Sequence, residues 1–138
     1  MSDPVRTKGT LSLSSDPRDV EHLLTRLESL LATSCLDEMR AFRLKCAVIE
    51  VVNNCIQHAY MNQTGKPIEI SYDFKPELVQ IVIADQGPAF FGPTESPGIT
   101  PMGDSGRGLQ IIEAWVSSFS FERKNHWNLC RLEQLAIT

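Results

Sequence analysis

The first side chains that could do chemistry together are Glu50 and Asn54 of the 138-residue sequence. On a helix these residues lie about one turn apart, so their side chains can converge on one small hydrophilic object. The amide oxygen of Asn54 suits a hard cation such as Mg²⁺, which keeps several waters and takes few protein ligands. Glu50 could then accept a proton from a nucleophile beside that ion. Taken alone, the pair also fits a solvent-facing helix stripe.

A second candidate is Asp85, which follows the nearly continuous apolar run Leu78–Ala84 and precedes Gly87 by two residues. A carboxylate at the edge of an apolar pocket can accept a hydrogen bond from an exocyclic amine, as on adenine, while apolar side chains enclose the ring. Taken alone, Asp85 is equally interpretable as a turn residue that caps its own backbone.

The third segment places Gly106, Arg107 and Gly108 directly before Leu109 at the start of a predicted helix. Glycines there let backbone N–H groups approach an anion, and the helix dipole favours negative charge. Arg107 could add a charge-assisted contact to phosphate oxygens. The GKS or GKT of a Walker A loop is absent, and so are the HRD and DFG motifs of eukaryotic-type protein kinases.

The hydrophobic pattern predicts the elements that must position these segments. In chain order they are a strand over Thr10–Ser14, a helix from Ser15-Asp16-Pro17 to before Cys35, a helix from Asp37 to about Tyr60, strands over Ile68–Phe74 and Leu78–Ala84, a glycine-rich loop over Gly87–Gly108, a helix over Leu109–Phe119, and strands over Phe119–Arg123 and Trp127–Leu135. The loop is typical of either a functional lid or a disordered segment. This order predicts an α/β two-layer sandwich of a mixed, mainly antiparallel sheet and about three helices.

Length, charge and cysteine spacing narrow the class of protein. The length predicts one domain over residues 1–138, with residues 1–9 flexible. A net charge of -4 without a basic cluster argues against nucleic-acid binding. No apolar run reaches the ~18 to 20 residues that span a bilayer, and the first twenty residues lack a signal core, so we predict a cytoplasmic protein without membrane contact. The four cysteines lack zinc spacing and are expected to be reduced, mostly buried thiols.

Together, in this order and spacing, the three segments resemble the N, D and second G boxes of the GHKL ATPases, the gyrase, histidine kinase and mismatch-repair type. The ExxxN and HAY residues of the first box are similar to those of the anti-sigma factor serine/threonine kinase branch. The resemblance covers about Leu11 to Leu132. It implies the Bergerat fold and the cofactors ATP and Mg²⁺.

The resemblance also implies a role for each matching residue. Glu50 would be the general base, and Asn54 would coordinate the Mg²⁺ that bridges the ATP phosphates. Asp85 would accept a hydrogen bond from the adenine amine, with Gly87 permitting close approach of the nucleotide. His58 matches a recurrent histidine of the first box, but its chemistry assigns it no role. The phosphates would be held at the start of the following helix by Gly106, Arg107, Gly108 and Leu109.

Two departures from the family pattern stand out. Ala89, preceded by Pro88, replaces a second glycine that is usual in the D box, and it restricts the backbone there. His126-Trp127-Asn128 stands where a Gly-Thr pair commonly precedes the last strand. The first departure bears on lid movement and the second on the contacts at the adenine side.

The resemblance implies an ATP- and Mg-dependent serine/threonine protein kinase that is an anti-sigma regulatory factor in a partner-switching pathway of transcription regulation. Its substrate would be a STAS-domain anti-anti-sigma protein, its further partner a sigma factor, and its assembly a homodimer. The alternative is an ATP-gated regulatory binding module without phosphotransfer. The detached catalytic half of a histidine kinase is a weaker third interpretation, because one helix around His22 is too little for a dimerisation bundle.

Overall fold

The computed structural model describes residues 7–88, 112 and 114–137. These residues form five strands, two α-helices and one π-helical turn: β1 Thr7–Ser14, α1 Pro17–Leu31, α2 Glu38–Asn54, the π-helix Cys55–Ala59, β2 Pro67–Phe74, β3 Leu78–Asp85, β4 Ser118–Lys124 and β5 Trp127–Leu135. Shortly before β4, residues 112, 114 and 115 are helical as well.

The five strands form one sheet in the order β1-β2-β3-β5-β4, with β3 at its centre. All four pairings are antiparallel, so the described part of the predicted mixed sheet contains no parallel pair. The short turns between β2 and β3 and between β4 and β5 account for two of these pairings, because hairpins are antiparallel by construction. The predicted two-layer α/β fold is confirmed.

Both long helices begin at the aspartates expected from the sequence. The Asp16 carboxylate accepts a hydrogen bond from the backbone N–H of Arg18, and Pro17 occupies the first turn of α1. In the same way, Asp37 accepts a hydrogen bond from the N–H of Arg40 at the start of α2. These side chains satisfy backbone donors that the first helical turn leaves without a partner.

The core lies between α1 and α2 and one face of the sheet. Helix α1 buries leucines at four-residue spacing, and α2 buries Leu44, Val48, Val51 and Val52. Alternate residues of β2 and β3 face these helices and are almost fully buried: Ile68, Ile70, Phe74, Val79, Ile81 and Ile83. Burial of each such side chain contributes roughly 1.5 to 3 kcal/mol to the free energy of unfolding, relative to leaving it exposed. The core therefore fixes the position of α2 against β3.

Several predicted boundaries differ from the structure, and four of the differences bear on the core or the site. Thr7–Gly9 pair with β2, so their predicted flexibility is wrong, whereas residues 1–6 lie outside the described residues. β3 extends to Asp85. α2 ends at Asn54, and its continuation is a π-helix in which the Tyr60 N–H donates to the Cys55 carbonyl five residues back.

The fourth boundary concerns the predicted helix over Leu109–Phe119, which cannot extend to its predicted end. Ser118 already pairs with Glu133 in the sheet, and the Ser117 N–H donates to the Glu133 carbonyl. Pairing with β5 therefore overrides the helical spacing at these positions. Residues 109–111 and 113 lie outside the described residues.

Candidate functional site

The centre of the candidate site is Asp85, the last residue of the central strand β3. It is 7% exposed. Its register partners are Ile68 on β2 and Asn128 on β5. The backbone N–H of Gly87 donates to Asp85 Oδ1 at 2.8 Å. This is the contact expected if Asp85 is a turn residue that caps its own backbone. Two further donors, from other parts of the chain, bond to the same carboxylate, so Asp85 does more than cap this turn.

Asn128 bonds to Asp85 across the sheet. It is 4% exposed, and its Nδ2 donates to Asp85 Oδ1 at 2.9 Å. The same amide nitrogen lies 2.9 Å from the carbonyl oxygen of Pro88 and 3.3 Å from that of Gly87. Asn128 is the last residue of the His126-Trp127-Asn128 segment, which stands where the resemblance leads one to expect a Gly-Thr pair, and it supplies a polar partner for Asp85. Asn128 and Gln134 are the two polar residues at core-facing positions of β5, so the strand pattern alone does not single out Asn128.

The Cys55 thiol is the third donor to Asp85. Its Sγ lies 3.2 Å from Asp85 Oδ2. Burial, and secondarily the charge of Asp85, raise the pKa of the Cys55 thiol well above its ordinary value, so the thiol stays protonated and donates. Sequence reasoning treated Cys55 as one of four reduced, mostly buried thiols and missed this contact, since a buried cysteine carries no signal for its partner.

Glu50 and Asn54 lie one turn apart on α2, as predicted. Asn54 Nδ2 donates to Glu50 Oε2 at 3.2 Å. Asn54 is 7% exposed and Glu50 is half-buried, so the stripe does not simply face water. Because Asn54 directly precedes Cys55, the thiol contact to Asp85 brings the first two sequence segments together in space.

Gly87 is packed tightly against the end of the π-helix. A Cβ atom at position 87 would lie 2.7 Å from the Ala59 Cβ and 2.9 Å from the Ala59 carbonyl oxygen. A side chain there would force the backbone apart, so this position requires glycine. The predicted role of Gly87 toward a nucleotide stays a prediction beside this packing role.

Tyr60 joins the same region to β2. Its hydroxyl accepts a hydrogen bond from the Gln86 backbone N–H at 2.6 Å and donates to the carbonyl oxygen of Pro67. Burial raises the pKa of Tyr60, so the phenol stays protonated at neutral pH. These bonds hold the residue after Asp85 against the end of the helical segment.

The chain matches a protein-family model over most of its length. Residues 13–133 match the model of the histidine kinase-like ATPase domain. The chain belongs to this family.

Sequence relatives of this histidine kinase-like ATPase domain carry one recurring name. Serine-protein kinase RsbW of Bacillus velezensis is 29% identical over 79 residues, which is 51% of this chain and 49% of that protein. Serine-protein kinase RsbW of Oceanobacillus iheyensis is 33% identical over 81 residues, 51% of each chain. The chain thus spans about half the length of the curated relatives it matches. The predicted membership of the histidine kinase-like (GHKL) ATPases is confirmed, and the relatives to which the chain is similar carry the name serine-protein kinase.

A solved structure shows the same fold. The crystal structure of the RsbU and RsbW domains of a Mycobacterium tuberculosis protein superposes with a TM-score of 0.67 at 17% identity. The match covers 94% of this chain and 32% of the other. At this identity the likeness establishes the fold.

The four residues predicted to hold phosphates lie outside the described part of the chain: Gly106, Arg107, Gly108 and Leu109. Ala89, the D-box departure, lies outside it as well. His58 is half-buried in the π-helix and its role stays unassigned.

The described residues fit a magnesium site of the kind that ATP completes. They contain no group of three or more His, Cys, Asp or Glu side chains that could hold a metal by themselves. The donor set at Asn54 is one carboxamide with a carboxylate beside it. Mg²⁺ is commonly held by one or two protein groups together with substrate phosphates and water.

Among the described residues, neither long helix combines the length and apolar character needed to cross a bilayer.

Proposed function

We propose that this domain binds ATP with Mg²⁺ and transfers the γ-phosphoryl group to a serine or threonine hydroxyl of a protein partner. The observation that carries the proposal is the chain of contacts from Glu50 through Asn54 to Cys55 and Asp85. It brings the predicted base and metal ligand to the same part of the fold as the predicted acceptor for adenine. The matched family supports the ATP part, and the name serine-protein kinase of the relatives supports the transfer.

At the end of the site that would hold the adenine base, which we call the base end, Asp85 would accept a hydrogen bond from the exocyclic amine of adenine. The donors described above already hold the carboxylate in place, so nucleotide binding requires little reorganisation of this side chain. The apolar residues that precede it on β3 give this end of the site its low polarity.

At the reaction end, Asn54 would hold Mg²⁺ through its amide oxygen. When bound, the ion supplies charge neutralisation for the phosphates during transfer. Glu50 Oε2 accepts a hydrogen bond from the Asn54 amide. We therefore assign uptake of the substrate hydroxyl proton to the other carboxylate oxygen, Oε1. The substrate hydroxyl oxygen forms the new bond to the γ-phosphorus, the bond from that phosphorus to the β,γ-bridging oxygen breaks, the hydroxyl proton goes to Glu50, and ADP leaves.

The partner assignments follow from the family resemblance and from the relatives' name. We assign a STAS-domain anti-anti-sigma protein as substrate, a sigma factor as the further partner, a homodimer as the assembly and the cytoplasm as the location. The unit that does this is a single domain over residues 1–138.

The test is incubation of the chain with ATP, Mg²⁺ and a STAS-domain protein of the same organism, followed by intact-mass spectrometry of that partner. We expect the partner to gain one phosphate only when both ATP and Mg²⁺ are present. No mass gain at saturating ATP contradicts the phosphotransfer proposal.

The alternative function is an ATP-gated binding module without phosphotransfer. It is favoured by the loss of the Gly-Thr pair, because Asn128 at that place bonds to the backbone carbonyls that follow Asp85. Under this alternative, ATP changes the affinity for the partner without any mass gain, and Glu50→Ala leaves partner exchange unchanged.

A further inference from the structure

Asp85, Asn128 and Arg123 form a row of polar side chains across three neighbouring strands. Asn128 is the register partner of Asp85 between β5 and β3, and of Arg123 between β5 and β4. Directly paired residues point to the same side of a sheet. Because Ile68, the other partner of Asp85, belongs to the core, the row lies on the helix-facing side. We call these three residues the polar row.

Arg123 fixes which way the Asn128 amide points. Its Nη1 donates to Asn128 Oδ1 at 2.9 Å and to the Gly87 carbonyl oxygen at 3.0 Å. Since a guanidinium can only donate, the amide oxygen must face Arg123 and the amide nitrogen must face Asp85. The charge on Arg123 makes these bonds stronger than neutral ones.

This arrangement divides the two carboxylate oxygens of Asp85 between different tasks. Oδ1 accepts from the Gly87 N–H and the Asn128 amide, which fills both of its lone-pair directions. Oδ2 accepts from the Cys55 thiol, which is a weak donor that uses one direction. Oδ2 therefore keeps capacity for one more donor.

We propose that Asn128, oriented by Arg123, is a positioning residue that turns Asp85 so that Oδ2 receives the amino group of adenine, and that the polar row thereby sets the preference of the site for adenine over guanine. This inference rests on the proposed function at Asp85. Guanine presents a carbonyl oxygen where adenine presents its amine, so a fixed Oδ2 meets a donor in one base and an acceptor in the other.

The experiment measures the dissociation constants of ATP and GTP, each with Mg²⁺, for the wild-type chain and for variants of the polar row. We expect the wild type to prefer ATP. Asn128→Leu is expected to weaken ATP binding by roughly 10- to 100-fold, the usual consequence of losing a hydrogen bond to a charged group. GTP binding should weaken less, so the ratio of the GTP dissociation constant to the ATP dissociation constant falls.

Further variants separate positioning from general damage. Asn128→Thr, which restores a hydroxyl donor, is expected to recover part of the adenine preference. Arg123→Gln removes a cation, and this loss of charge by itself weakens the binding of ATP and of GTP equally. A fall in the ratio of the GTP dissociation constant to the ATP dissociation constant therefore reports that the Asn128 amide is no longer held in one orientation. Arg26→Gln on the exposed face of α1 is the matched control and should leave the ratio unchanged.

The outcomes are separable. A folded wild type that binds neither nucleotide overturns the proposed function and this inference with it. A wild type that prefers ATP, with variants that keep the same preference while both affinities fall, overturns the inference alone. If Asn128→Leu does not fold, Arg123→Gln decides, because the arginine side chain lies at the exposed end of the polar row.

Discussion

Around Asp85, three separate parts of the chain meet at the end of β3: Cys55 lies 30 positions away in sequence and Asn128 lies 43 positions away. Around Glu50, by contrast, the defining contact is to Asn54, four positions along the same helix. The base end of the site is therefore assembled by tertiary packing, whereas the reaction end is assembled by helix geometry. The difference predicts that damage at the reaction end stays local and that damage at the base end spreads to stability.

The largest effect is expected when the reaction end alone is broken. Glu50→Gln keeps the shape of the side chain but removes the proton acceptor, so we expect phosphate transfer to the partner to fall by about 10²- to 10⁴-fold. ATP affinity and melting temperature should stay close to those of wild type, since the contact is local. Transfer is measured by partner mass against time.

The matched control is Glu69→Gln on an exposed position of β2, which should leave transfer unchanged. Equal transfer rates in Glu50→Gln and wild type would remove Glu50 from the reaction. A large loss of stability in Glu50→Gln would contradict the local character of this end.

The next effect comes from breaking the packing beside the base end. Gly87→Ala puts a methyl group against Ala59, and we expect it to lower the free energy of unfolding by about 1 to 3 kcal/mol, the usual cost of overpacking. Urea unfolding measures this loss.

A double variant checks the cause. Ala59→Gly removes the Cβ that the new methyl group would meet, so Gly87→Ala should cost less in that background. The Ala59 carbonyl oxygen remains close, so recovery should be partial. Strict additivity of the two substitutions would show that this contact is not the reason for the loss.

The smallest effect concerns the pH dependence of stability. Burial raises the pKa of the Cys55 and Cys130 thiols in the folded state. Above the ordinary thiol pKa of about 8.5 the unfolded chain releases these protons while the folded chain keeps them, so stability is lost as pH rises. The slope is about 1.4 kcal/mol per pH unit for each thiol at most.

Urea unfolding between pH 8 and pH 10 tests this effect. The wild type should lose more stability over this range than Cys130→Ala, although the variant is less stable at pH 8 because it leaves a cavity. Identical losses in the two proteins would show that the Cys130 thiol does not titrate differently in the folded and unfolded chain.

The reaction end was predictable because its information is local. A four-residue spacing on a helix is enough to place Glu50 beside Asn54, and the nearly continuous apolar run Leu78–Ala84 is enough to place Asp85 at the end of a buried strand. The caps at Asp16 and Asp37 were readable for the same reason, since each acts on backbone groups a few residues away.

The contacts at the base end were not predictable, because they depend on which strands become neighbours. Asn128 meets Asp85 only through the β3–β5 register, and Cys55 meets it through the packing of the π-helix. That π-helix itself departs from the predicted continuous helix. Gly87 packs against Ala59 at its end, and the Tyr60 hydroxyl that follows it bonds to the Gln86 N–H. Such contacts leave no periodic trace in one sequence.

The central claim, that Asn54 and Asp85 serve one nucleotide site, is tested most directly by calorimetric titration of ATP with and without Mg²⁺ into wild type, Asn54→Ala and Asp85→Asn. The account predicts that wild type binds ATP more tightly with Mg²⁺, that Asn54→Ala loses this enhancement, and that Asp85→Asn loses most of its affinity under both conditions. A folded wild type that shows no heat of binding, or variants that both bind ATP as wild type does, would contradict it.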